Sequence, residues 1–268
     1  MAFNRRSMLG SLGASAVVLT AGGGAFVLTR DPAGARVPWS VAGERFVDPR
    51  LRAVSYAIFA PNPHNQQPWI VNLRTEGEVH LFCDTDRLLP ETDPFGRQIV
   101  IGLGCFLELL KIAAEVDGYA VEVDGFPEGT SEERLDKRPV AHVRFTKKAG
   151  IPIDPLFHAI LRRRSNEEPY HTDRAVPASV LMALTAEGRD SVSSGATANP
   201  YDVSRLRDLT WRAHVTEVMT PRTNMESVRL MRIGESEIEA TPDGIALGGA
   251  FLETLNKIGV LTREELAN

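Results

Sequence analysis

One long stretch, Arg97 to Val116, limits what this chain can fold into more than any other part of the sequence. Its apolar residues fall on most of the circumference of a helix: Ile99, Ile101, Leu103, Phe106, Leu107, Leu110, Ile112 and Ala113. A helix that is apolar on most sides must be packed by other elements on those sides, so we predict a central, buried helix. Gly102 and Gly104 lower its helix propensity, and we expect another backbone or a ligand to come close to them.

Further helices and strands are predicted around this central helix. Residues 49–60 have apolar positions at helical spacing, which predicts a helix. Strands are predicted over residues 69–73, 79–83, 119–123 and 140–145, and the first two read as an antiparallel pair. After a polar linker the chain is mainly helical, with helices predicted over residues 154–163, 180–187, 204–219, 224–233 and 251–258. These elements predict the α+β fold class.

The composition is that of a globular protein with one large domain or two small ones. The chain has 268 residues, of which 43% are hydrophobic, and a net charge of −5. An acidic chain without a basic stretch argues against nucleic acid as a partner. Cys83 and Cys105 match no zinc pattern, and the histidines do not occur at metal-ligand spacing. We therefore predict no metal site, and we expect both cysteines to be small buried residues.

Residues 1–35 have the pattern of an export signal. Arg5 and Arg6 precede a weakly apolar run rich in Gly and Ala, and Ala33-Gly34-Ala35 offers a small-x-small cleavage site. This order resembles the twin-arginine signals that address folded proteins to the bacterial export machinery. We therefore expect the protein in the periplasm or the cell envelope. The alternatives are an uncleaved signal that anchors the chain in a membrane and a disordered basic amino terminus.

A loop with three prolines, residues 60–69, follows the first predicted helix. The prolines fix φ and remove three N–H donors, which excludes a helix or a central strand. The two Asn and two Gln side chains of the loop can each donate and accept hydrogen bonds, so they suit a planar ligand with a polar edge. The candidate binding residues are Pro61, Asn62, Asn65 and Gln67. The alternative is a polar connection whose amides cap neighbouring backbone groups.

Three consecutive arginines before Ser165 form a second candidate site, for an anion. Arginine presents paired donors to phosphate oxygens, and serine adds a hydroxyl. The residues that would hold a phosphate are Arg163, Arg164 and Ser165. The alternative is a basic helix C-terminus that the helix macrodipole stabilises. These residues by themselves favour neither interpretation.

Taken together, the motifs resemble the flavin-dependent nitroreductase superfamily, and within it the internally duplicated Acg-type branch. Residues 61–69 are similar to the family's Pro-Ser-x-x-Asn-x-Gln-Pro-Trp loop, and residues 163–165 resemble its Arg-x-Ser phosphate motif. Residues 97–118 resemble the long central helix of the family. The runs over residues 87–97 and 226–234 fit the Acg-type branch.

The resemblance implies a nitroreductase-like fold in which two tandem halves form a pseudo-dimer. Residues 36–148 would be the first half, and residues 149–268 a second half that is shortened at its carboxyl terminus. The resemblance also implies one FMN site. In that site the proline loop, with Pro61, Asn62, Asn65 and Gln67, faces the ring, and the phosphate contacts Arg163, Arg164 and Ser165.

The function implied by the resemblance is that of an FMN-dependent oxidoreductase. It would use NAD(P)H to reduce small molecules such as nitroaromatic compounds or quinones. The flavin carries this chemistry, so we assign no catalytic residue to the protein. Two alternatives stay open: an exported protein that binds or sequesters flavin without turnover, and an inactive truncated homologue. The oligomeric state is left open as well.

Overall fold

The computed structural model describes residues 30–131, 134–165, 169–186 and 192–267. The twin-arginine motif and the apolar run of the predicted signal lie outside these residues. The chain divides into two compact units: residues up to Arg163 and from Met225 onwards form the first, and residues 164–224 form the second. Within the described ranges, no helix combines the length and the apolar character that crossing a membrane requires.

The first unit contains a sheet of four antiparallel strands, in the spatial order β1-β2-β4-β3. The strands are β1 (Trp69–Asn72), β2 (Glu78–Cys83), β3 (Tyr119–Gly125) and β4 (Pro139–Lys147). β1 pairs with β2 so that Trp69 lies opposite Cys83. The four predicted strands are confirmed. The alternation that predicted them is clearest in β2, where every second residue is buried.

Three helices precede or connect these strands: α1 (Val37–Val41), α2 (Pro49–Ala57) and α3 (Arg97–Val116). α2 begins after Asp48, whose carboxylate accepts a hydrogen bond from the backbone N–H of Arg50 at 2.9 Å. Pro49 occupies the first helical position, where a missing N–H costs nothing. The predicted bounds of α3 are confirmed at both ends.

The central position predicted for α3 is confirmed as well. Its largest buried side chains are Ile99, Leu103, Phe106 and Leu110, and they share one hydrophobic core with residues of α2, β2 and β4. Burying each such side chain stabilises the fold by about 1.5–3 kcal/mol. One strip of α3 faces solvent, since Ile101 is 58% exposed and Gly104 is exposed too. The helix is therefore buried on several sides and open on one.

The second unit contains α4 (Ala178–Ala186) and α5 (Pro200–Val218). The side chain of Asn199 caps α5 by accepting from the backbone N–H of Tyr201 at 2.9 Å. Neither helix contains a fully buried residue, and the apolar side chains of Leu209 and Trp211 are exposed. The two helices predicted here are confirmed, apart from shifts at their ends.

The carboxyl-terminal part of the chain adds four helices and two short strands. These are α6 (Pro221–Leu230), β5 (Met231–Ile233), α7 (Glu235–Ala240), β6 (Ile245–Leu247), α8 (Ala250–Lys257) and α9 (Arg263–Ala267). The helix predicted over residues 224–233 was wrong at its end, because Met231–Ile233 pairs in parallel with β6. The helix predicted over residues 154–163 was also wrong. That segment forms only a 3-10 turn, Pro155–Ala159, after an Asp154 cap.

Packing divides the chain differently from the two predicted halves. Residues 149–163 and 225–267 pack with the first half, so the boundary predicted at residue 149 lies inside the first unit. Ile160 is buried beside Phe59, and the Glu226 carboxylate accepts from the backbone N–H groups of Glu91 and Thr92 at 3.1 and 2.8 Å. Such contacts join residues far apart in the chain, and sequence spacing does not show them. The tandem duplication itself stays a prediction.

Candidate functional site

The proline loop, residues 60–69, has a strained backbone. His64, Asn65 and Gln67 have positive φ angles of 48°, 50° and 49°. Left-handed backbone is unfavourable for residues with a side chain, although asparagine tolerates it better than most. Strain of this kind costs about 1–3 kcal/mol per residue, persists only where the surroundings hold it, and concentrates at functional sites. Three such residues in one short loop mark it as the first place to look for a ligand site.

The side chain of Asn62 holds the loop together from within. Its Nδ2 donates to the carbonyl of Ala60 at 3.1 Å, and its Oδ1 accepts from the backbone N–H of Gln67 at 2.7 Å. Its backbone carbonyl accepts from the N–H of Asn65 at 3.2 Å. Both ends of the Asn62 amide are therefore used to shape the loop. In this structure Asn62 positions the candidate binding residues rather than presenting its own amide to a ligand.

The loop lies directly against the central helix at Gly102. A Cβ atom at Gly102 would lie 3.0 Å from the Cβ of Asn62 and 3.3 Å from the carbonyl oxygen of Pro61. The close backbone approach predicted at this glycine is confirmed, and only glycine leaves room for it. At Gly104 a Cβ atom would meet nothing within 4 Å, so among the described residues no backbone comes close there, and the approach of a ligand stays a prediction.

A charged network holds the loop from the other side. Arg87 donates to the carbonyl of Gln66 at 2.8 Å and also to the carboxylate of Asp243 at 2.7 Å. The other carboxylate oxygen of Asp243 accepts from Arg232 at 2.6 Å. Burial raises the pKa of Asp243, but the hydrogen bonds from Arg87 and Arg232 outweigh it and leave the pKa below its usual 3.8. The carboxylate therefore stays charged and links β5 to the loop.

The turn around Asp243 also contacts the loop through backbone groups. Gln67 donates its side-chain Nε2 to the carbonyl of Pro242 at 2.9 Å, and the N–H of Gly244 donates to the carbonyl of Asn65 at 3.2 Å. The sequence patterns assign no binding role to Pro242-Asp243-Gly244. Arg87 and Arg232 lie in the two runs that fitted the Acg-type branch, and the structure brings these two runs together on Asp243.

Next to the loop lies a cavity of about 160 Å³. Its polar lining comes from Asn65, Gln67 and Arg163, and its apolar lining from Ala35, Pro38, Trp39, Ile58, Phe59, Ala60 and Pro242. Three of the seven predicted binding residues thus meet at one cavity, although they come from segments about one hundred residues apart. Pro61 and Asn62 lie behind the lining residues, against α3.

Arg163 reaches this cavity because its segment is anchored in the first unit. Ile160 is buried in a small cluster with Ala42, Phe59 and Ile112. The Nη2 atom of Arg163 donates to the carbonyl of Phe59 at 3.1 Å, which fixes the guanidinium beside the proline loop. Arg164 and Ser165 are exposed residues of the second unit, and their predicted part in phosphate binding stays a prediction.

Metal-ligating side chains and cysteine thiols were located as well. Among the described residues, no group of three or more His, Cys, Asp or Glu side chains is arranged to hold a metal ion. Burial raises the pKa of the Cys83 thiol to about 12, and burial also raises the pKa of Cys105. The buried position expected for Cys83 is confirmed, whereas Cys105 is only partly buried. Both thiols are protonated at neutral pH.

Comparison with known proteins gives partial matches. No protein-family model matches the chain. Three proteins of Mycobacterium tuberculosis (strain ATCC 25618 / H37Rv) are similar to part of it. The identity is 32% over 124 residues to "Uncharacterized protein Rv3127", 33% over 119 residues to "Putative NAD(P)H nitroreductase acg" and 32% over 126 residues to "Putative NAD(P)H nitroreductase Rv3131".

Each of these matches covers 44% of this chain, and the share of the relative is 34%, 34% and 33%. The chain therefore spans about a third of the length of the curated relatives it matches. Two of the three carry nitroreductase in their names. The similarity supports a distant relationship to the nitroreductases, in agreement with the motifs, and the α+β architecture is compatible with it.

Proposed function

We propose that this chain binds FMN in the cavity beside the proline loop and acts as an oxidoreductase of the nitroreductase type. NAD(P)H would be the reductant, and a nitroaromatic compound or a quinone the acceptor. One observation carries the proposal. Asn65 and Gln67, predicted for a flavin ring, and Arg163, predicted for its phosphate, line the same cavity. The names of two relatives support the same class of reaction.

The chemistry of the lining fits a flavin. An isoalloxazine ring has apolar faces and an edge that carries both donors and acceptors, and the cavity offers the aromatic side chains of Trp39 and Phe59 together with two amides. Gln67 donates one N–H of its Nε2 to the carbonyl of Pro242, which leaves its second N–H to donate to a ligand and its side-chain oxygen to accept from one. The guanidinium of Arg163 favours an anionic group at its side of the cavity.

When bound, FMN would supply the capacity to take a hydride from a reduced nicotinamide and to pass electrons to an acceptor. The protein would contribute binding and orientation. The strained loop fixes Asn65 and Gln67, and their positions depend on the hydrogen bonds of Asn62 and Arg87. The apolar side chains of Ile58 and Phe59 would exclude water from the ring.

Flavin binding without turnover is the second candidate, and the size of the cavity favours it. Ordinary ligand pockets have volumes of about 300–1,000 Å³, whereas this cavity has about 160 Å³. The cavity would have to widen to admit a flavin, and a ring seated in it would leave little room for a second substrate. Export by the twin-arginine route is part of both candidates and rests on the sequence of residues 1–35 alone.

A spectroscopic experiment separates the two candidates. The purified protein is mixed with FMN, desalted and examined for bound flavin by its visible spectrum. NADPH and then a nitroaromatic compound or a quinone are added without oxygen. Bleaching followed by recovery of the flavin absorbance supports the oxidoreductase, and a retained yellow colour without bleaching supports sequestration. A protein that keeps no flavin after desalting contradicts both.

Adjacent arginines provide a matched control for the site assignment. Arg163→Ala should weaken FMN binding, because Arg163 lines the cavity. Arg162→Ala should leave it unchanged, because the Nε atom of Arg162 donates instead to the carbonyl of His158 at 3.1 Å. Equal FMN affinities for the two variants, measured by fluorescence titration, would overturn the phosphate assignment.

A further inference from the structure

The apolar side of the cavity comes largely from a segment that sequence reasoning assigned no role. Residues 30–42, here called the strap, contribute Ala35, Pro38 and Trp39 to the lining. The ring of Trp39 lies 4.5 Å from the ring of Phe59, between centroids, at an angle of 47°. Trp39 is 36% exposed, which is high for a tryptophan packed on another ring. Trp39 therefore keeps solvent-accessible surface, and its side chain lines the cavity.

The strap is held at its amino end by three hydrogen bonds to carboxylates. Arg30 pairs with Glu253 at 2.6 Å. The backbone N–H groups of Gly34 and Ala35 donate to the two carboxylate oxygens of Glu239 at 2.7 and 3.0 Å. Charge-assisted hydrogen bonds of this kind are about twice as strong as neutral ones. The amino end of the strap is thereby fixed to α7 and α8.

The strap is also held at its carboxyl end. Ala42 is buried next to Phe59 and Ile112, and the N–H of Gly43 donates to the hydroxyl of Ser55 at 2.8 Å in a buried position. A segment fixed at both ends gives the ring between them a defined place.

Resting on the proposed function, we infer that Trp39 is a flavin-contacting residue of this cavity and stacks on the isoalloxazine ring. A tryptophan face offers a large apolar contact area to a planar ring. The strap that carries Trp39 is then part of the functional protein. A chain cleaved after Ala35 would lose the anchoring contacts of Arg30, Gly34 and Ala35, so cleavage there would loosen the cavity wall.

Two flavins that differ only in the phosphate test the inference on the full chain. Trp39→Ala should weaken FMN and riboflavin by the same factor, about tenfold, because it removes a contact to the ring they share. Arg163→Ala should weaken FMN and leave riboflavin unchanged. Trp39→Phe, which keeps an aromatic ring, should retain most of the affinity for both. Trp211→Ala is the control, since Trp211 is an exposed tryptophan of the second unit.

Glu239→Ala tests the strap separately. It removes the acceptor of Gly34 and Ala35 and leaves every lining side chain intact. We expect faster dissociation of both flavins in a stopped-flow displacement experiment. Circular dichroism checks that Trp39→Ala is folded. If it is not, Trp39→Leu takes its place, because leucine keeps an apolar contact with Phe59 but has no ring.

The outcomes separate this inference from the proposed function. If wild-type protein binds neither flavin, both the proposed function and the role of Trp39 are wrong. If wild-type protein binds both flavins and the Trp39 variants without a ring bind them equally well, only the role of Trp39 is wrong. A loss confined to FMN in those variants would also overturn it, because stacking on the ring cannot depend on the phosphate.

Discussion

Alanine substitutions at two glycines of α3 test how tightly the proline loop is fitted to the central helix. In the middle of an exposed helix, replacing glycine with alanine stabilises the protein by about 0.8–1.0 kcal/mol. Gly104→Ala should show this whole gain, because a Cβ atom there meets nothing within 4 Å. The same helix thus provides its own reference for Gly102→Ala.

Gly102→Ala has the same gain in helix propensity, but its added methyl group must displace the proline loop. Its Cβ atom would lie 3.0 Å from the Cβ of Asn62, and Asn62 is held by hydrogen bonds to Ala60 and Gln67. Overpacking of this kind costs about 1–3 kcal/mol. The net change should fall between about 0 and −2 kcal/mol, so Gly102→Ala should be less stable than Gly104→Ala by about 1–3 kcal/mol.

Urea unfolding followed by circular dichroism measures this difference. FMN titration of the same two variants reports on the site, since displacement of Asn62 moves the backbone of Gln67. We expect weaker FMN binding for Gly102→Ala and unchanged binding for Gly104→Ala. Equal stability and equal FMN affinity of the two variants would refute the idea that Gly102 sets the position of the loop.

Two further predictions concern ionisable groups. The pKa of Asp243 is below its usual 3.8, so its contribution to stability is complete above that pH and is lost as pH falls through the lower folded value. Asp243→Asn should cost roughly 3 kcal/mol of stability at pH 7, and it should remove this part of the acid sensitivity. The measurement is urea unfolding of the wild type and the variant at pH 7, 4 and 3. An equal loss of stability in the two proteins below pH 4 would contradict the prediction. Burial raises the pKa of Cys83 to about 12, so a thiol reagent at pH 8 should label it only in urea, and rapid labelling of the folded protein would show that it is accessible.

Much of the secondary structure follows from local patterns. The bounds of α3 and the existence of β1 to β4 were predictable, because each has a hydrophobic period that its own burial requires. The errors lie where a distant partner decides the conformation. Met231–Ile233 continues a helical pattern in the sequence, yet it becomes β5 because β6 offers a parallel partner. α1 was not predicted, since it is short and begins just after the predicted export signal of residues 1–35.

The sequence predicted which residues form the candidate site better than it predicted the role of each residue. Asn65, Gln67 and Arg163 do line one cavity. Asn62 has the same kind of side chain as Asn65, but its hydrogen bonds to the loop use both ends of the amide. Trp39 and Asp243 were missed because neither stands in a recognisable motif. Their importance comes from contacts with Phe59 and with two arginines far away in the chain.

By itself, the sequence determined most of the helices and strands, that the helix Arg97–Val116 must be buried, and that a stiff loop carries amide side chains. These properties depend on neighbours within a few turns of the chain. The tertiary structure decided that Arg163 meets this loop, that Gly102 makes room for it, and that the strap lies beside the cavity. Such contacts depend on how buried surfaces fit together, and no local pattern encodes that fit.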